Sequence, residues 1–253
     1  MRNIKLTIQY DGSRYSGWQK QPGFKTIEAE LISAIANLIC TDDVEVNGSS
    51  RTDAGVSALG QVANVRLDTP IPTDRLAKAI SQHLPKEIVV TEAVDVPDDF
   101  DAIKDTKSKL YRYSIYTGKT RPVLQINQCW HRPFGLAQGG PGKLDIAPMQ
   151  TAAKKLIGEK DFKSFATAAD KRSSSVRTIF NCDCIQNGQW IYIDVEANGF
   201  LYNMVRNIVG TLVEIGRGRW QPDVVDKILE AKKRTAAGPI APAQGLCLMW
   251  IKY

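Results

Sequence analysis

Residues 49–56 read Ser49-Ser50-Arg51-Thr52-Asp53-Ala54-Gly55-Val56 and set a cation, a hydroxyl and a carboxylate at three consecutive positions. A carboxylate held in a turn beside a cation can act as a nucleophile or as a general base. The same residues also suit an ordinary Asx-turn or helix cap, since Asp and Gly are turn formers. A second feature is Arg206, inside FLYNMVRNIVGTLVEI (200–215). At helical spacing it shares a stripe with Tyr202, Val209, Gly210 and Val213, so it is expected to be at least partly buried. An unpaired buried charge costs on the order of several kcal/mol, which calls for a carboxylate partner. Glu214, two turns along, is expected to be too solvated; Asp53 is the better candidate, and a partly buried Asp53–Arg206 ion pair is predicted. The alternative is that the guanidinium snorkels to the surface.

A third feature is the interleaving of basic residues with rings and glycines. Segment 11–25 holds Arg14, Tyr15, Trp18, Lys20, Phe24 and Lys25; segment 163–177 holds Lys163, Lys171, Arg172 and Arg177; segment 216–220 reads Gly-Arg-Gly-Arg-Trp and includes Arg217. Mobile cations suit phosphates and planar rings suit unstacked bases. Each segment alone better suits a solvated surface with Trp18 and Trp220 packed inward; the three together shift the balance towards a nucleic acid. The formal net charge of +6 agrees, because an excess of positive charge favours a polyanionic partner.

The chain's 253 residues are 43% hydrophobic and 24% charged, an ordinary soluble composition. It has no long uncharged apolar run, so no membrane span is expected, and its start lacks a signal peptide's apolar segment. A cytoplasmic location is expected. Five cysteines, no C-x-x-C pair and two histidines argue against a disulfide framework and against a zinc site. Cys182 and Cys184 fall on one face of a strand, as core residues do. The stretch 132–143 (RPFGLAQGGPGK) reads as a loop without the G-x-G-x-x-G order of a phosphate-binding motif.

These features must be positioned by elements legible in the periodicity. Strand alternation appears at 3–10, followed by a helix over 26–40 with Ile27, Leu31, Ile35 and Leu38 on one side. Strands at 43–47 and 60–67, a helix at 73–83 and a strand at 87–94 complete a β-α-β-β-α-β order. The second half repeats the pattern, without clear sequence identity to the first: a strand at 109–117, a helix at 146–157 capped by Asp145, and strands at 176–185 and 189–197 joined through Asn187-Gly188. Helices near 201–215 and 222–233 and a strand at 246–252 follow. The fold class is therefore α+β: two ferredoxin-like halves forming a mainly antiparallel sheet with helices packed against it, and an active-site cleft between the halves. The boundary falls in the polar stretch 96–108, giving halves of 1–100, with the Asp53 loop, and 101–253, with the Arg206 helix. In KLYRYSIY (109–116) alternation sets Tyr111 and Tyr113 on one face, with Leu110 and Arg112 on the other.

Over nearly its whole length the chain resembles the tRNA pseudouridine synthase A family. The resemblance rests on YDGSRYSGWQKQ (10–21), SRTDAGVSALGQV (50–62), PDDFDA (97–102), KLYRYSIY (109–116), DFKSF (161–165), NGFLYNMVRNIVGTLVEIG (198–216) and PAQGLCL (242–248). It implies that Asp53 is the essential aspartate and that Arg51 lies in the RNA-contacting loop. It implies that Tyr111 stacks on the target uracil, Arg206 pairs with the aspartate, and Leu246 lines the base pocket. It further implies a homodimer that uses no metal or organic cofactor and acts on tRNA at uridines 38, 39 and 40 of the anticodon stem-loop. Ser50 stands where the family usually has Gly, Ser57 where it has His, and Asp101 and Ile103 depart from Phe-His-Ala-Arg; these departures bear on which uridines are modified. A non-catalytic RNA-binding protein on the same scaffold is the competing reading, with Asp53 and Arg206 then a structural pair. A stand-alone RNA-binding module would need aromatic RNP-type strands, and no good match to them is present.

Overall fold

The computed structural model describes residues 1–133, 144–170 and 172–253. The chain divides into two compact units, one made of residues 1–107 with 247–253 and the other of residues 108–246.

The first unit opens on β1 (Arg2–Tyr10), whose alternation puts Ile4, Leu6, Ile8 and Tyr10 in the core. Helix α1 (Ile27–Ile39) buries Ile27, Leu31, Ala34 and Ile35, a stripe at helical spacing. Each such aliphatic side chain contributes about 1.5–3 kcal/mol by leaving water. Strands β2 (Val46–Gly48) and β3 (Ser57–Leu67), helix α2 (Thr73–Ser81) and strand β4 (Ile88–Val96) follow. The strand order is β4-β1-β3, with β2 also on β3, and every one of these pairings is antiparallel. This is the ferredoxin-like arrangement expected from the pattern.

Strand β3 begins at Ser57, earlier than its alternation suggests, because on the side away from β1 it has two different partners along its length. Its far end pairs with β2, while Ser57 and Ala58 pair in parallel with Cys247 and Leu248 of β10 (Leu246–Lys252). Gly60 makes the approach of β10 possible, since a Cβ there would sit 2.5 Å from the Met249 carbonyl oxygen. The tail is further tied to the first unit by the Lys107 N–H, which donates to the Lys252 carbonyl at 2.9 Å, and by the Tyr253 hydroxyl, which donates to the Ala102 carbonyl at 2.9 Å.

The second unit contains β5 (Ser108–Tyr116), β6 (Trp130–His131), α3 (Ile146–Lys154), β7 (Gly158–Asp161), β8 (Val176–Asn187), β9 (Trp190–Ala197), α4 (Met204–Gly216) and α5 (Val224–Ala231). Strands β5-β9-β8-β7 pair antiparallel in that order, and short β6 runs parallel to β5. The Asp145 carboxylate caps α3 by accepting from the Ala147 N–H at 3.1 Å, as expected. Three readings need correction. Helix α3 stops at Lys154, because the chain turns through Gly158 (φ +103°) into β7, a strand too short to show alternation. The hairpin turn is Gly188-Gln189 rather than Asn187-Gly188: Asn187 pairs with Trp190, and only the glycine needs a positive φ, +59°. The helix expected from 201 starts at Met204, preceded by Asn203 in a left-handed conformation (φ 62°). The loop expected at 132–143 lies, from residue 134 onward, outside the described residues, as does Lys171.

Candidate active site

Asp53 sits in the connection between β2 and β3, half-buried, with Arg51 exposed and Thr52 buried just before it. The loop is braced from several directions. The Gln61 side chain, fully buried, donates its amide to the Ser50 carbonyl at 2.6 Å. The Ser49 N–H donates to the Val62 carbonyl at 2.8 Å. Thr52 shares a buried hydroxyl bond with Tyr10 at 2.8 Å, and its carbonyl accepts from the Trp18 N–H at 3.0 Å. The Asp53 carbonyl accepts from the Val56 N–H at 3.1 Å, closing a turn through Gly55 (φ +80°).

Two of the three glycines of segment 11–25, Gly12 and Gly17, now acquire a reason. A Cβ on Gly12 would strike the Val56 carbonyl oxygen, and one on Gly17 would lie 2.7 Å from the Thr52 carbonyl oxygen. The two loops therefore touch backbone to backbone. Ser57, one of the departures from the family pattern, accepts from the Gly12 N–H at 3.1 Å and pins the same approach. Asp101, another departure, accepts from the N–H groups of Ile103 and Lys104 at 2.8 and 2.9 Å. These bonds, the one from Lys104 foremost, hold its carboxyl below the usual range.

In the second unit, Arg206 projects from the first turn of α4, half-buried. Its Nε donates to the Ala241 carbonyl at 2.8 Å and an Nη to Asn203 Oδ1 at 2.8 Å. The Ala241 N–H returns a bond to the Arg206 carbonyl at 3.1 Å. Gly210 and Gly238 let segment 237–246 lie directly on α4: a Cβ on Gly210 would strike the Pro239 carbonyl oxygen, and one on Gly238 the Thr211 backbone. That segment then crosses β5, where the Tyr113 hydroxyl donates to the Pro242 carbonyl at 2.7 Å and Gly245 faces the Tyr113 ring. It ends at Leu246, 6% exposed. Tyr111, on the same face of β5 as Tyr113, is also 6% exposed and meets the Phe200 ring edge-on at 5.1 Å. Arg206, Leu246 and Tyr111 are thus joined through segment 237–246 and the tyrosine face of β5, a link that periodicity could not supply.

Glu214 differs from expectation. It is 6% exposed rather than solvated, and its carboxylate accepts from Arg217 at 2.9 Å and Arg219 at 3.0 Å. Burial alone would raise its pKa, but the two guanidinium bonds hold it below the ordinary glutamate value. The Arg217 side chain is 14% exposed, whereas Arg14, at 76%, reaches into solvent 3.7 Å from Glu87, and Lys20 is exposed. Arg172 is half-exposed and bonded to buried Asp170. Sequence reasoning passed over Gln61, and also over Lys109, 8% exposed in phase with Tyr111 on β5. A lysine on the core face of an alternating strand was the available signal.

Among the described residues no three histidines, cysteines or acids are grouped as metal ligands, and no helix is long and apolar enough to cross a membrane. The sequence pattern of a known family, tRNA pseudouridine synthase, matches residues 6–103 and 152–253. The chain belongs to the tRNA pseudouridine synthase family. Such an enzyme is an isomerase that turns uridine into pseudouridine within tRNA. The chain is 43% identical to the tRNA pseudouridine synthase A of Caldicellulosiruptor saccharolyticus, over 100% of both chains. The proteins of that name from Thermoanaerobacter pseudethanolicus and Geotalea uraniireducens are 42% and 41% identical to it, again over 100% of both chains. A solved Cbf5-Nop10-Gar1 complex aligns with 92% of this chain and 68% of its own at a TM-score of 0.34 and 12% identity, a likeness that decides nothing about the fold.

Proposed function

We propose that this tRNA pseudouridine synthase acts in the anticodon stem-loop, at uridines 38, 39 and 40, with Asp53 as its catalytic carboxylate. The reaction breaks the N1–C1′ bond, turns the uracil and forms a C5–C1′ bond; C5 loses a proton and N1 gains one. A carboxylate at C1′ serves either as a nucleophile, as in retaining glycosidases, or as the base that removes a ribose proton. Both roles require an ionised Asp53, and Arg206 is assigned to keep it so by pairing with it. Arg51 contacts the RNA, Tyr111 stacks on the uracil and Leu246 lines the base pocket. Flipping the nucleotide out of the helix costs on the order of a few kcal/mol, of which stacking on a ring returns about 1–3 kcal/mol. Arg14, Lys20, Arg172 and Arg217 neutralise phosphates. The enzyme works as a cytoplasmic homodimer and needs no cofactor.

The observation that carries this reading is the bracing of the half-buried Asp53 and its loop by Gln61, Tyr10 and the backbone of Gly12 and Gly17. The test is to map pseudouridine in tRNA incubated with the wild-type protein and with Asp53→Asn. New pseudouridine at positions 38–40 with the wild type alone is expected. Modification elsewhere overturns the assigned positions, and a near wild-type rate in the variant overturns the role of Asp53.

A further inference from the structure

Asn203 stands immediately before helix α4 and holds a left-handed backbone, φ 62° and ψ 11°. Its carbonyl accepts from the Asn207 N–H at 3.0 Å, the first bond of the helix. A residue at this position ordinarily has extended dihedrals, and an asparagine there turns its side-chain oxygen onto the backbone N–H two or three residues ahead. Asn203 does neither. Among the described residues its side chain caps no backbone N–H. Its Oδ1 instead accepts from an Nη of Arg206, three residues on, at 2.8 Å. Chemistry fixes which end of the amide faces Arg206, because a guanidinium offers donors alone and must meet the oxygen.

The left-handed turn has its own cause. Leu201 and Met204 are both in the core, and the Met204 N–H closes a turn on the Leu201 carbonyl at 3.1 Å. The chain passes from that turn into the helix at one residue, which takes the positive φ. Glycine adopts such a conformation without steric cost, and asparagine is among the few other residues that tolerate it. What asparagine adds over glycine is the amide, and here the amide holds Arg206. The guanidinium is thereby gripped at two points, since its Nε donates to the Ala241 carbonyl at 2.8 Å. A planar fork held by one bond can swing about that bond; two bonds to separate oxygens fix its plane. The Ala241 anchor is itself tied to α4, through the Ala241 N–H on the Arg206 carbonyl at 3.1 Å.

We propose that Asn203 is a positioning residue: its side-chain oxygen sets the plane of the Arg206 guanidinium, and its left-handed backbone places that oxygen. The proposal rests on the reading of Arg206 as the partner of the catalytic Asp53. A guanidinium whose plane is set before the RNA arrives presents its donors in one direction, and the carboxylate it pairs with is kept ionised from one turnover to the next. Asn203 acts through Arg206 and touches no reacting atom.

The experiment compares the full-length wild type with Asn203→Gly and Arg206→Met, using tRNA as substrate. Asn203→Gly keeps the backbone conformation and removes the amide. Its melting temperature should stay within about 3 °C of wild type, since glycine in place of asparagine at a helix start changes stability only slightly. Its kcat should fall about 10-fold, the effect of one charged hydrogen bond, while KM changes by less than about two-fold. The acidic limb of its pH–rate profile should move to higher pH, because a misdirected guanidinium supports the Asp53 carboxylate less. An unchanged kcat and profile overturns the proposal, and so does a change confined to KM. A melting temperature lower than the stated margin assigns Asn203 to the fold and overturns it as well. Arg206→Met, or Arg206→Lys should that variant not fold, separates this failure from that of the reading beneath it. If the Arg206 variant is inactive while Asn203→Gly turns over normally, Arg206 keeps its role and only the positioning falls. If the Arg206 variant turns over at the wild-type rate, the pairing with Asp53 falls, and the positioning role in catalysis falls with it.

Discussion

The connection that carries Asp53 and the segment that carries Arg172 are both short, polar lead-ins to long strands, but different forces hold them. The first is enclosed by buried hydrogen bonds and by close backbone approaches at Gly12 and Gly17 that leave no room for a methyl group. The second relies on side chains at the surface: Arg172 is 47% exposed on Asp170, and Lys232 reaches Asp161 across 3.1 Å while itself 63% exposed. A carboxylate that must meet one carbon atom tolerates little displacement. A cation that neutralises a phosphate acts over longer distances and tolerates slack. Under the roles proposed for Asp53 and Arg172, rigidity is concentrated where bonds would be exchanged and withheld where charge would be matched.

The sharpest way to break that contrast is Asp53→Asn, expected to lower turnover roughly 10²–10⁴-fold while tRNA still shifts in a gel. A comparable loss on replacing Arg172 would erase the distinction. Next is Gly12→Ala, which forces apart the two loops at the Val56 carbonyl; a loss of about 1–3 kcal/mol in unfolding free energy is expected, with kcat falling more than KM rises. The matching change in the other segment, Ser173→Ala at an exposed position, should alter stability by less than about 0.5 kcal/mol. Gln61→Leu removes the donor to the Ser50 carbonyl and should cost about 1–3 kcal/mol in denaturant titration, again with reduced kcat.

Smaller effects sharpen the electrostatic side. Neutralising Arg14, Lys20, Arg172 and Arg217 together should flatten the slope of log affinity against log salt by about 0.7–0.9 for each phosphate that is no longer neutralised. Among the four single variants Arg217 should contribute least, because its guanidinium is enclosed on Glu214. The smallest expected effect concerns pH. Lys109 titrates at about 8 in the folded chain, below the ~10.4 of an unfolded lysine. Between those values the unfolded chain holds a proton that the folded chain has released, so this group's contribution to stability rises with pH through the window and is lost as pH falls through 8. The melting temperature of wild type relative to Lys109→Met should rise between pH 8 and about 10; a constant difference would count against a strained ammonium.

Much of the fold was legible in the sequence because the relevant forces are local. The alternation of NIKLTIQY, the stripe Ile27-Leu31-Ile35 and the cap at Asp145 each depend on neighbours within a few residues, and each appears as expected. Legibility failed where partners are distant. Strand β6 and strand β7 are too short to alternate and exist only through pairing with β5 and β8. Glu214 looked solvated because nothing in its helix announces that Arg217 and Arg219 fold back over it. In the candidate site, Asp53 and Arg206 stood out by residue type alone, whereas Tyr111 and Leu246 drew their roles from family resemblance. Gln61 and Lys109 escaped notice because a glutamine or lysine in a strand ordinarily faces water.

The pairing of Cys247 and Leu248 with Ser57 and Ala58 bears on how the protein is made. The strand that flanks the Asp53 loop is translated after the entire second unit. On the ribosome, the nascent first unit presents an open edge at Ser57, just past Asp53, for as long as residues 108–246 are being synthesised and threaded out of the exit tunnel. A chain interrupted late in translation would carry every catalytic candidate and still lack the strand that flanks the aspartate loop, so abortive products should engage chaperones rather than compete for tRNA.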